Sequence, residues 1–309
     1  MNTIEMQDLK TEIKNIFDGE VMFDEPMSQH TSLKIGGPVE VMVFPEDPLS
    51  LKKVVVAAVR ESIPYFVFGG GTNLLVEDGG ISGIAISLKK FRSIEFMKET
   101  DDSKAVLYTG SGVPLAMLVN FAAKNGLSGI EALAGIPGYI GGAVSMNAGS
   151  FGVEIKDVIA SVAIMDNRGE IIILNRDEIV FSYRDSDFPE GSVVLSANVV
   201  LKKKSPVEVE KRTKKYLERK KSSQPLGEFS AGCVFKNPAV EAAGKLIDDA
   251  GCKGIREGAV EVSRIHANYF INHGNATCRD FIVLMERVKA KVKEFSGIEL
   301  KPEVRIIHG

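Results

Sequence analysis

The sequence predicts an α+β fold of more than one packed unit, and three observations carry that expectation. Strand-like and helix-like runs are mixed without the regular βαβ alternation of a doubly wound sheet. Two glycine-dense, uncharged loops, one directly after a strand-like segment and one after a helix, lie in the first half of the chain. A length of 309 residues exceeds what one hydrophobic core ordinarily serves and suits two or three domains. The hydrophobic fraction of 44% and charged fraction of 26% are those of a globular protein, and the net charge of −3 gives no general attraction to nucleic acid or anionic membrane.

The elements can be read in order. Residues 1–17 place Met6, Leu9, Ile13, Ile16 and Phe17 at helical spacing, which makes an amphipathic surface helix rather than a signal peptide. VEVMVF (39–44) is a short β-branched strand. Asp47 then caps a helix with Pro48 in its first turn, where the missing N–H costs nothing. YFVF (65–68) and IAISL (84–88) are strands. A helix begins at Pro114 and is closed by Gly126. VIASVAIM and EIIIL form a hairpin around the turn Asp166–Gly169, and VVLSANVVL (193–201) is another strand. Ser205 and Glu208 form a capping box around Pro206 and open a basic helix ending near Lys221. The remainder reads as a helix (241–250), strands (260–272), a helix (278–295) and a final strand near Pro302–Ile307. The seam is expected in the KKKSP segment, giving a domain of 1–203, itself two subdomains split near 90, and a second of 204–309.

Other classes are set aside. No apolar run is long enough to cross a bilayer. Cys233, Cys252 and Cys278 are odd in number and lack metal-ligand spacing, which fits a reducing compartment. A cytoplasmic protein without membrane, metal or nucleic-acid partners is expected.

The glycine loops carry the first functional signal. GGGTN (69–73) lets backbone N–H groups approach a phosphate, and Thr72 and Asn73 add side-chain hydrogen bonds. A Rossmann register would need glycine where Leu74 stands, and no Lys-Ser/Thr pair follows to make a P-loop. Taken alone, GGGTN is equally readable as a tight turn. GIPGYIGGAVSMNAGSFG (135–152) changes the balance: Gly135, Gly138, Gly141, Gly142, Gly149 and Gly152 lie among Pro137, Ser145, Asn147 and Ser150. Each glycine costs folding entropy, so a purely structural loop rarely needs so many. Two uncharged glycine loops suit a dinucleotide whose pyrophosphate rests on backbone donors.

With HTSLKIGGP (30–38), these loops resemble the flavin-binding half of the UDP-N-acetylenolpyruvoylglucosamine reductase family of bacterial cell-wall synthesis. That half belongs to the fold shared with vanillyl-alcohol oxidase and p-cresol methylhydroxylase. The resemblance implies non-covalent FAD, contacted by Gly70, Gly71, Thr72 and Asn73 and by Gly138, Gly141, Gly142, Asn147 and Gly149. It also implies a C-terminal α+β substrate-binding domain whose last strand returns to the active site.

Three further segments, FSYRDS, SAGCVFKNP (230–238) and KPEVRII (301–307), match the family's catalytic motifs in order. Singly, each has a plain structural reading. Arg184 beside Asp185 and Asp187 suits a surface ion pair, Glu303 between Lys301 and Arg305 a solvated strand face, and Cys233 a small buried group. In combination they imply a reaction: NADPH reduces the flavin, which passes hydride to the enol double bond of UDP-N-acetylenolpyruvoylglucosamine. By resemblance Arg184 and Glu303 stabilise the resulting enolate, and Cys233, on a turn followed by a strand, supplies the proton. Serine is frequent at the third position; the thiol, with a free pKa of about 8.5, is the stronger acid.

Substrate contacts are expected at Tyr183, Lys236 and Asn237, and at Arg219 and Lys221 on the basic helix. Residues 202–221 carry ten Lys or Arg against three Glu, a composition that equally describes a solvated helix packed through Val209, Thr213 and Tyr216. RNA binding is the weaker third reading, because no aromatic interleaving accompanies the charge. His266 in HANYFIN is as readily a satisfied structural group. The run from FSYRDSDF through PEGS lacks the tyrosine-bearing loop of some family members and marks a shorter subclass. A monomer is expected. Two other functions stand beside the reductase: a flavin oxidase of the same fold acting on a small alcohol or hydroxy acid, and a non-catalytic nucleotide-sugar-binding module. The first would not need the enolate-stabilising trio, the second would not need two flavin loops.

Overall fold

The computed structural model describes Thr11, Ile13, Ile16, Phe17, residues 19–101 and residues 103–309. Thr11, Ile13 and Ile16 are helical, while Met6 and Leu9 of the expected first helix lie outside the described residues. The chain divides into two compact units: residues 1–23, 41–70 and 83–220, and residues 24–40, 71–82 and 221–309. The last passage of the chain from the first unit to the second falls after Lys220.

In the first unit, helix α1 (Pro48–Arg60) starts as its sequence predicts. Asp47 accepts from the Ser50 N–H at 2.7 Å, and the Ser50 hydroxyl closes the capping box. Its buried face, Leu51, Val54, Val55 and Ala58, packs with Val41, Val43, Ile84 and Ile86. Those residues lie in a sheet ordered Glu20–Pro26, Pro38–Phe44, Ile81–Ser87, Tyr65–Phe68, in which Tyr65–Phe68 runs parallel to Ile84–Ser87. Ile13 and Phe17 join the same core.

The other sheet of this unit is antiparallel, in the order Ile171–Asn175, Ile159–Met165, Val193–Lys203, Lys104–Gly110, Ile94–Asp101, with Leu127–Ser128 paired to the end of Val193–Lys203. Helices α2 (Leu115–Lys124) and α3 (Ile140–Ser145) bury Leu115, Leu118, Val119, Ile140 and Val144 in the core it shares with Leu107, Val162, Ile164 and Val199. Gly126, at φ +66°, supplies the left-handed backbone that ends α2. Helix α4 (Pro206–Ser223) begins at the expected proline. Val209 and Thr213 are buried and Leu217 packs against the same core, so most of this helix belongs with the first unit.

The second unit contains helices α5 (Ala243–Asp249) and α6 (Cys278–Ser296), and the antiparallel strands Arg256–Glu257, Val260–Val262 and Phe270–Asn272. Leu33, Ile35, Leu75, Phe235, Phe270 and Phe281 lie in its core. Leu74–Val76 pairs in parallel with Arg305–Ile307. Two sequence expectations change here. Glu303 stands just before the final strand, which begins at Arg305. The 230–238 segment contains no strand; it is fixed by isolated bridges, Cys233 to Tyr269 and Phe235 to Pro302. Gly232, at φ +76°, bends the chain at the start of that segment and prevents a continuous ladder. The start of α6 is capped twice: Thr277 and Asp280 form a capping box, and Asp78 accepts from the Cys278 N–H at 2.8 Å and the Arg279 N–H at 3.3 Å. Among the described residues no helix is long and apolar enough to cross a membrane.

Candidate active site

The start of the first glycine loop, Gly69–Gly70, meets the second loop inside the first unit. A Cβ on Gly69 would lie 3.2 Å from the Tyr139 Cβ, so the strand end Phe68–Gly70 lies close against the start of α3. Gly141 is wedged against Ser111, where a Cβ would come to 2.9 Å of the serine Cβ, and its N–H donates to the Ser111 carbonyl at 2.9 Å. Gly142, one residue on, faces open space, with no atom within 4 Å of the position a Cβ would take. Gly138 has φ +108°, and its carbonyl accepts from the Leu115 N–H.

In the second unit Gly71, at φ +60°, lies so close to the His30 carbonyl that a Cβ would stand 2.0 Å from its oxygen. Its own carbonyl accepts from the Ser32 N–H at 3.1 Å. Thr72 follows, and the Asn73 amide donates to the Glu303 carbonyl at 3.0 Å while the Asn73 carbonyl accepts from the Arg305 N–H. The loop is thereby tied to the segment that carries Glu303.

Asn147 makes side-chain hydrogen bonds within the protein. It is fully buried at φ +41°, and its amide is turned inward, donating to Glu154 at 3.1 Å and to the Ser182 carbonyl at 2.9 Å and accepting from the Lys156 N–H. Its side chain braces the loop. Gly149 pairs with Glu154 across a two-residue ladder. Tyr183 and Arg184 form the two-residue tip of a hairpin between Phe181–Ser182 and Asp185–Ser186. Arg184 holds φ +58°, an unusual backbone for arginine. Its guanidinium lies 5.3 Å over the Tyr183 ring and donates to the Gly149 carbonyl at 3.3 Å. Glu154, in reach of this group, was not singled out from the sequence; the available signal was a carboxylate two residues past the uncharged glycine loop. Burial works against its charge, but hydrogen bonds from Lys156 and Asn147 and the charges of Lys156 and Arg184 outweigh it and hold the carboxyl below its ordinary value.

Cys233 and Glu303 share a scaffold in the second unit. The Glu303 N–H donates to the Val234 carbonyl at 2.7 Å, and the Val234 N–H donates to the Asn268 carbonyl at 2.8 Å. The buried Asn268 amide bonds both the N–H and the carbonyl of Phe235. The thiol is half-buried and follows Gly232, around which a Cβ would meet nothing within 4 Å. Lys236 is half-buried with its N–H on the Lys301 carbonyl. The Asn237 side-chain oxygen accepts from the Ala243 N–H at 2.9 Å, so it supports the first turn of α5. His266 is a packing group: it sits edge-on to Tyr269 at 5.0 Å, and burial depresses its pKa.

On α4, Arg219 lies 4.8 Å over the Phe151 ring and Tyr216 stacks against the same ring at 5.3 Å. Lys221 is exposed. The buried cation is Lys220, its stem against Gly135 of the glycine loop. Its place at the end of the stripe Val209–Thr213–Leu217 was a signal the sequence held and composition obscured.

Several features of this chain fit a flavin dinucleotide. The loops offer backbone donors without negative side chains at their tips, Gly142 leaves space beside them, and the buried Ser111 hydroxyl behind Gly141 has no hydrogen-bond partner among the described residues. A buried hydroxyl without a partner costs free energy unless a ligand supplies one.

Comparison with known proteins gives a consistent picture. Residues 39–175 match an FAD-binding domain profile, and residues 224–307 match the profile of the C-terminal domain of UDP-N-acetylenolpyruvoylglucosamine reductase. The UDP-N-acetylenolpyruvoylglucosamine reductase of Geotalea uraniireducens is 40% identical over 300 residues, covering 97% of this chain and 98% of its own. That of Clostridium tetani is 42% identical over 296 residues, covering 96% and 94%. The crystal structure of the Thermus caldophilus enzyme of that name superimposes with a TM-score of 0.80 at 33% identity, covering 94% of this chain and 98% of that one.

Proposed function

The chain belongs to the UDP-N-acetylenolpyruvoylglucosamine reductase family, and from that premise we infer how its residues divide the work. It is an FAD-dependent oxidoreductase that reduces the enolpyruvyl ether of UDP-N-acetylglucosamine to UDP-N-acetylmuramate with NADPH, in peptidoglycan precursor synthesis. FAD, when bound, supplies the hydride relay between NADPH and the enol double bond. Gly70, Gly71, Thr72 and Asn73, with Gly138, Gly141, Gly142 and Gly149, hold the dinucleotide mainly through backbone N–H groups, and Ser111 adds a hydroxyl.

Arg184 binds the substrate carboxylate through its planar fork and takes up the negative charge that grows there as hydride reaches the terminal carbon. Glu303 orients the reacting end. Cys233 gives its proton to the adjacent carbon, and the thiolate is reprotonated from solvent. The observation that supports pairing these two residues is the 2.7 Å hydrogen bond from the Glu303 N–H to the carbonyl next to Cys233. Tyr183, Lys236, Lys221 and Arg219 contribute to holding the UDP-sugar. Residues 1–203 serve as the FAD-binding region and residues 204–309 as the substrate-binding domain, and the enzyme works as a cytoplasmic monomer.

Arg184→Lys tests the central assignment. Lysine keeps the charge but loses the fork. Flavin reduction by NADPH is expected to stay near the wild-type rate while reoxidation by the enolpyruvyl substrate collapses. Equal slowing of both half-reactions would assign Arg184 to the fold or to the flavin instead.

A further inference from the structure

Arg184 sits on a two-residue turn, a poor platform for a group that must hold one orientation. An arginine side chain gives up rotamer freedom when fixed, so something outside the turn must fix it beforehand. Contacts that could do so come from the short segment of residues 147–156. The Gly149 carbonyl accepts from the guanidinium at 3.3 Å. Gly149 is the ladder partner of Glu154. The Asn147 amide joins the Glu154 carboxylate to the Ser182 carbonyl, at the base of the hairpin that carries Arg184. Lys156 pairs with the same carboxylate. Glu154 therefore links the loop that receives the guanidinium to the strand that presents it, and its negative charge faces the cation.

We propose that Glu154 is a positioning residue for Arg184, holding the guanidinium and its hairpin in the orientation that receives the substrate carboxylate. The proposal rests on the assignment of Arg184 made above and goes beyond it. Glu154 touches no reacting atom; it acts through Arg184 and through Asn147. Without its charge the Asn147 amide loses a charged acceptor, Lys156 loses its partner, and the attraction between Glu154 and Arg184 is removed.

The experiment uses the full-length, FAD-loaded protein in single-turnover kinetics, with Glu154→Gln, Glu154→Asp, Arg184→Lys and the Glu154→Gln/Arg184→Lys double variant. For Glu154→Gln, flavin reduction by NADPH is expected at the wild-type rate, and reoxidation by the enolpyruvyl substrate is expected about tenfold slower, within the coupling range of residues in one hydrogen-bond network. Glu154→Asp, which restores the charge, should recover most of that loss, and the double variant should be no slower than Arg184→Lys alone. Wild-type reoxidation in Glu154→Gln overturns the proposal, as do additive losses in the double variant. Equal slowing of both half-reactions, or a lowered melting temperature with lost FAD that Glu154→Asp shares, reduces Glu154 to a folding role and also overturns it. Should Glu154→Gln not fold, Glu154→Ala takes its place: selective slowing of reoxidation supports the proposal, and an unaffected reoxidation ends it. If Arg184→Lys itself reoxidises at full speed, the assignment of Arg184 falls and the proposal with it. If only Arg184→Lys is impaired, the assignment stands and the positioning role does not.

Discussion

Replacing Gly142 with alanine separates the needs of the fold from those of the ligand at one atom. Gly142 lies inside α3, its φ is not positive, and a Cβ there would meet nothing within 4 Å. The chain itself therefore has no reason to keep glycine. Alanine loses less backbone entropy in a helix, so the apo-protein should gain roughly 0.5–1 kcal/mol. If a pyrophosphate lies against this backbone, the new methyl occupies the space through which it approaches. The loss is then of the size of one hydrogen bond to a charged group, roughly 1.5–3 kcal/mol, or about ten- to hundredfold in FAD affinity. Denaturant unfolding of the apo-protein measures the first quantity, and FAD titration of the same preparation the second. Stronger folding with weaker FAD binding is the expected pair. Unchanged FAD affinity would show that the open space at Gly142 does not serve the cofactor, and a destabilised apo-protein would refute the packing argument. Gly71 is the natural contrast: alanine there meets the His30 carbonyl at 2.0 Å and must damage the fold first.

Two other outcomes follow from the second unit. Cys233→Ala should accept hydride at the normal rate and stall at protonation, losing about 10²–10⁴ in turnover, whereas Cys233→Ser should retain substantial activity; single-turnover kinetics of the alanine variant at full speed would make Cys233 a packing residue. Asp78→Ala removes a carboxylate from the start of α6 and should cost about 1–2 kcal/mol in denaturant unfolding with both half-reactions unchanged. The same change should lower the Cys278 thiol, which burial, together with the charges of Asp78 and Glu77, pushes up to about 12; thiol titration against pH checks this.

Features set by a few neighbouring residues were readable from the sequence. Asp47 with Pro48 announced a helix start, Gly126 a helix end, and YFVF a strand that appears with the same bounds. The glycine loops were legible for a similar reason, because a left-handed or closely approached backbone restricts residue choice locally. What could not be read was the direction a polar side chain takes once the loop closes. Asn147 and Asn237 stand in the matched motifs, yet their amides complete hydrogen bonds inside the protein, a demand set by distant backbone groups such as the Ser182 carbonyl. Glu303 was expected on a strand because KPEVRII has a strand-like pattern, but the bridge at Pro302 and the Glu303 bond to Val234 draw the chain aside before pairing begins at Arg305. Lys220 looked like one of ten cations in its segment until packing buried it.

The parallel pairing of Leu74–Val76 with Arg305–Ile307 bears on how the molecule is made. The bond between Asn73 and Glu303 spans 230 positions, so at synthesis rates of about 5–20 residues per second the earlier strand waits on the order of ten seconds or more for its partner. Closing so long a loop is entropically costly and slow, whatever the final stability. During that interval Leu75 and Val76, both fully buried at the end, have no cover of their own and are open to chaperones or to aggregation. The same topology governs dissection of the gene. A fragment cut at residue 224, where the C-terminal profile begins, would leave behind Leu33, Ile35 and Leu75 and expose the core that they complete. A protein engineer seeking the second unit alone would have to fuse 24–40 and 71–82 to it through new linkers, because no continuous stretch of this chain encodes it.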